Sequence, residues 1–100
     1  GRDSQGVSLE RVQSDTLHFE VLDLTDASHL CERLARRWIV QLAYERPLWM
    51  AKVVLRPRGG DLAVLLREVE AWTAERGLGE LWFHLDGRVY LIRAKTPAAA

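Results

Sequence analysis

The sequence predicts an α+β domain, a two-layer sandwich in the order βαβαββ with two helices on one face of a four-stranded mixed sheet. Three observations carry that expectation. Apolar residues alternate at Leu17, Phe19 and Val21 and again over Leu48–Arg56, which is the two-residue period of a strand. They recur three and four apart at Leu30, Leu34 and Trp38 and at Leu62, Leu65, Leu66, Val69 and Trp72, the period of a helix packed on one side. Finally, Asp86-Gly87 separates two alternating runs, Glu80–Leu85 and Arg88–Arg93, as a hairpin turn does.

In chain order, the first strand covers 17–22, with Thr25 or Asp26 supplying the side-chain oxygen that caps the helix after it. A single helix over 27–45 would carry Leu30, Cys31, Leu34, Ala35, Trp38 and Leu42 on one face and Glu32, Arg33, Arg36 and Arg37 on the other. The same stretch also alternates at Trp38, Val40, Leu42 and Tyr44, as a strand would. That strand requires the helix to stop at Arg37, where no Gly, Pro, Asn or Asp turns the chain, and the first breaker is Pro47. The helix is therefore favoured. A strand at 38–44 would instead give the alternative fold, a ferredoxin-like βαββαβ arrangement with an extra C-terminal strand.

Leu48–Arg56 is apolar on both sides, as an interior strand is, and it would lie parallel to the first strand through a right-handed crossover. Pro57–Gly60 makes a loop, Asp61 caps the second helix, and Gly77 ends it with Leu78 folding back on the last turn. A two-residue loop in the final hairpin sets Leu85 opposite Arg88, His84 opposite Val89, Phe83 opposite Tyr90 and Trp82 opposite Leu91.

One hundred residues suit one domain, and 48% hydrophobic residues suffice for a core. The large apolar side chains concentrate in 17–95, leaving a polar leader over 1–16 and a loose tail over 96–100. Fourteen Lys and Arg balance fourteen Asp and Glu, which removes the overall field that draws a protein to nucleic acid. No apolar run approaches the roughly 20 residues that span a bilayer, so the expected setting is cytoplasmic, with no membrane partner. Cys31, the single cysteine, rules out an internal disulfide.

The element order over 17–95 resembles the small βαβαββ folds, such as the C-terminal domain of bacterial translation initiation factor three and the TusA-type sulfur carriers. The second likeness implies a sulfur-bearing cysteine in a Cys-Pro-x-Pro motif at the first helix. The residues here are Cys31-Glu32-Arg33-Leu34, without either proline, and Cys31 falls between Leu30 and Leu34 as a core residue would. Some related topologies bind RNA, and Arg33, Arg36 and Arg37 form the densest basic patch, which makes an RNA- or anion-binding domain the alternative function.

No catalytic residues, metal ligands or cofactor are assigned. His18, His84 and Glu20 all point away from the helices in this reading, so a His/His/Glu cluster needs only that their strands adjoin. Arg58-Gly59-Gly60-Asp61 lacks the Lys-Ser/Thr of a phosphate loop, and Asp61 occupies the amides that an anion would use. The informative feature is the sheet face away from the helices. Alternation puts Leu22, Leu48, Met50, Val54, Trp82, Val89 and Leu91 there, beside His84, and so much contiguous exposed apolar surface marks a contact site. The expected function is a non-enzymatic protein-interaction module. Its partner is a second copy, in a homodimer, or another protein, and its contact residues are Leu22, Met50, Val54, Trp82, His84, Val89 and Leu91.

Overall fold

A computed structural model describes residues 16–94. The leader and tail expected at 1–16 and 96–100 lie outside that range, apart from Thr16, which opens the first strand. The described elements are β1 (Thr16–Val21), α1 (Leu24–Leu34), β2 (Ile39–Glu45), β3 (Leu48–Val54), α2 (Asp61–Glu75), β4 (Glu80–Leu85) and β5 (Arg88–Arg93). The result is a small α+β domain in which two helices accompany a five-stranded antiparallel open sheet of order β2-β3-β1-β4-β5.

This corrects the four-stranded mixed sheet. Residues 39–45 form a strand, as the alternative arrangement requires, and the extra reversal turns every pairing antiparallel. β1 pairs with β3 and β4, and the expected parallel pair is absent among the described residues. The helix ends without a glycine. Ala35 N–H donates to the Cys31 carbonyl, while the N–H groups of Arg37 and Trp38 both donate to the Leu34 carbonyl. Trp38 then drops into the core at 5% exposure. All seven residues of β2 pair with β3, and Val40 and Leu42 pack against the core, which one long helix would have forgone. Arg46-Pro47, joined by a cis peptide bond, links the two strands.

The caps differ from the expected ones. Asp23, rather than Thr25 or Asp26, caps α1, its carboxylate accepting from the Asp26 N–H at 3.1 Å. Gly60 occupies the cap position of α2, so Asp61 does not cap that helix. At the far end of α2, Leu78 N–H donates to the Thr73 carbonyl and Gly77 N–H to that of Ala74, with Gly77 at φ 72. That is the left-handed ending expected of Gly77 and Leu78.

The core lies between the sheet and the helices. Leu17, Phe19, Ala51, Val53, Leu81 and Phe83 meet Ala27, Leu30, Leu34, Leu65, Val69 and Trp72, all buried. The final hairpin has the expected register, including Trp82 with Leu91. Asp86 at φ 55 and Gly87 at φ 76 give both turn residues the positive φ that a type I′ turn requires.

Candidate functional site

The sheet face opposite the helices is built by strand alternation. Facing out on it are His18 and Glu20 from β1, Met50, Lys52 and Val54 from β3, Trp82 and His84 from β4, and Val89 and Leu91 from β5. β2 adds Ile39, Gln41, Ala43 and Glu45. The register sets His18 between Lys52 and His84, with Gln41 beyond Lys52 and Val89 beyond His84.

A polar band therefore crosses the face. Lys52 pairs with Glu45 at 3.0 Å, and His84 bonds Glu20 through its Nε2. Burial holds the His18 imidazole below its ordinary pKa, and the Lys52 ammonium adds to that. Glu45 pulls the other way, and His84 adds a smaller lowering. The two histidines and Glu20 adjoin as the sequence allowed. Among the described residues, however, no three His, Cys, Asp or Glu side chains converge as a metal would need.

The apolar part of the face lies beside this band, at the β4–β5 corner. Trp82 is 44% exposed and Val89 52%, with Leu91 half-buried beside Trp82 on the edge strand β5; Leu22, 79% exposed, stands just past the end of β1. A groove of about 520 Å³ runs from this corner toward the start of α1. Val21, Leu22, Leu48, Leu78, Leu81 and Trp82 form its apolar lining, and Glu20, Asp23, Asp26 and Glu80 complete it. Of the other expected contact residues, Val54 is exposed at the opposite side of the face, His84 is engaged by Glu20, and Met50 is buried, so Met50 offers little area to a partner. Ile39, the most exposed apolar residue within the strands of this face, was not foreseen, because its segment reads as helix. Its signal was the alternation from Trp38 to Tyr44.

Arg33, Arg36 and Arg37 do not form one helix face, since α1 ends at Leu34. Arg33 donates to Glu68 and Glu75 of α2, at 2.7 Å each, which commits its guanidinium. A second interhelical pair joins Arg76 to Asp26 at 2.5 Å. The hollow between the helices, about 400 Å³, is lined by His29, Glu32, Arg33, Arg36, Glu68 and Glu75, carboxylates as well as guanidinium groups. His29 also ties the helices together: its Nδ1 accepts from the Trp72 indole N–H at 2.9 Å. Burial raises the Cys31 thiol above its usual pKa, the opposite of what a nucleophilic thiolate needs.

Arg56 is likewise committed. Its Nε and Nη2 donate to Asp61 Oδ1 at 3.0 and 2.6 Å, while its backbone N–H and the Trp38 indole N–H donate to Oδ2 at 2.8 and 2.9 Å. These bonds, led by those from the Arg56 side chain, hold the Asp61 pKa at about 2, below its ordinary 3.8, against the effect of burial. Arg56, the first of the two arginines after β3, is thus used internally.

The described residues thus form a small α+β domain whose sheet has one face that none of their helices covers. No family model, curated protein or solved structure matches the chain.

Proposed function

We propose that the protein is a non-enzymatic interaction module that self-associates through the β4–β5 corner of its open sheet face. The observation that supports this is Trp82, almost half exposed on a face no described helix covers, with Val89, Leu91 and Leu22 around it. A large aromatic anchor amid smaller apolar groups is the usual centre of a protein contact. Leu22, Trp82, Val89 and Leu91 are uncharged, so a two-fold contact centred on them places no charge at its middle. The polar band of His18, Lys52, Glu20 and His84 confines the contact to the corner, because covering it would strip water from charged groups.

Light scattering coupled to size-exclusion chromatography tests the reading. The parent chain is expected to gain mass above the monomer as concentration rises toward about millimolar, a weak-contact range. Trp82→Glu is expected to weaken that association and keep the fold, since Trp82 faces away from the helices. A parent that stays monomeric throughout, or a Trp82→Glu chain that unfolds, overturns it.

A further inference from the structure

The outer edge of β2 carries an inference beyond the corner contact. β2 and β3 join through two residues, so Glu45 and Leu48 close the hairpin as a hydrogen-bonded pair. Bonding then alternates through Ala43–Met50, Gln41–Lys52 and Ile39–Val54. The N–H and C=O groups of Val40, Leu42 and Tyr44 are left pointing away from the sheet, and no described segment pairs with them.

Natural sheet edges carry Lys, Arg, Pro, bulges or short strands that discourage pairing with another chain. β2 is seven residues long, reads Ile-Val-Gln-Leu-Ala-Tyr-Glu, and holds one charge, Glu45, already paired with Lys52. Ile39 is 73% exposed and Tyr44 53%. The other edge, β5, differs. It is six residues long and carries Arg88 and Arg93, charges of the kind that discourage edge pairing.

We propose that β2 pairs antiparallel with β2 of a second copy, about a two-fold axis at Leu42. In that register Leu42 meets Leu42, Val40 meets Tyr44, Gln41 meets Ala43 and Ile39 meets Glu45. The outward backbone groups of residues 40, 42 and 44 all find partners, no like charges face each other, and the two sheets become one of ten strands. This surface is separate from the Trp82 corner and can form without it.

The test uses the full chain carrying Trp82→Glu, which removes the corner contact. Amide exchange at Val40, Leu42 and Tyr44 is expected to be fast when dilute and to slow with concentration as a dimer appears, while Gln41 and Ala43 stay slow throughout. On the same background, Ile39→Glu sets two symmetry-related pairs of like charges against Glu45, and dimerisation should weaken roughly 2- to 30-fold. Ile39→Lys should retain or strengthen it. Both changes fall on an exposed side chain and leave the core intact. A Trp82→Glu chain that stays monomeric, with fast exchange at 40, 42 and 44 up to about millimolar, overturns the pairing. So does a dimer in which Ile39→Glu and Ile39→Lys behave alike. Failure of the corner proposal looks different: parent and Trp82→Glu chains then assemble identically.

Discussion

Replacing Asp61 with Asn tests what locks the β3–α2 junction to the strand edge. The carboxylate is nearly inaccessible, and it accepts from Trp38, from the Arg56 backbone and twice from the Arg56 guanidinium. A pKa lowered from 3.8 to about 2 corresponds to about 2 kcal/mol of stability above the unfolded pKa. The Arg56 side chain is 35% exposed, so solvent screening reduces that share to about 1–2 kcal/mol. The amide nitrogen of Asn also replaces an acceptor with a donor, facing either the guanidinium or the Trp38 indole. The lost bond adds about 1 kcal/mol. Asp61→Asn should therefore cost about 2–3 kcal/mol at pH 7 by urea denaturation. Because the folded pKa is depressed, the charge contribution is fully present above about pH 4–5 and disappears as pH falls through about 2. The gap between parent and variant should narrow to about 1 kcal/mol at the acid end, where only the lost bond remains. A gap below about 0.5 kcal/mol at pH 7, or one that does not change with pH, would refute the reasoning.

Two further changes probe the hairpin and the polar band. Gly87→Val should cost roughly 1–3 kcal/mol in a two-state melt. Open space surrounds the new Cβ, so the penalty is the positive φ of 76° itself, and a cost under about 0.5 kcal/mol would contradict it. His18 titrates below its unfolded value of 6.5, so the native state resists its protonation and loses stability as pH falls from above 6.5 through the lowered pKa. Urea midpoints at pH 7.5 and 5.0 should differ more for the parent than for His18→Gln, and equal differences would count against the Lys52–His18–His84 arrangement.

Where one period dominated, the sequence was readable. Leu17, Phe19 and Val21 alternate without competing helical spacing, Leu65, Val69 and Trp72 fit only a helix, and Asp86-Gly87 fixed the register that turned Trp82 outward. The stretch from Trp38 to Tyr44 was different, since Trp38 and Leu42 satisfy both periods. Its boundary signals were also weak. The helix closes on the Leu34 carbonyl with no glycine, and Arg46-Pro47 is not a common hairpin turn pair. Only pairing with β3 decides the matter, and that information is not local. The corner residues survived the misreading because β4 and β5 define them independently of β2. Ile39 did not. The arginine patch failed for another non-local reason: the acidic partners of Arg33 lie 35 and 42 residues further along the chain.

The four tryptophans give the molecule its own set of optical labels. Trp72, fully buried with its indole bonded to His29, reports on the seam between the helices. Trp38, bonded to Asp61 with the Arg56 guanidinium 5.2 Å above its ring, reports on the β3–α2 junction. Trp49 stacks at a tilt on Tyr44, 4.6 Å between ring centres, at the turn end of the exposed strand edge. Trp82 is the most exposed of the four, so an added collisional quencher reaches it first. Fluorescence from a single unlabelled sample thus separates events at the open face from loosening of the interior.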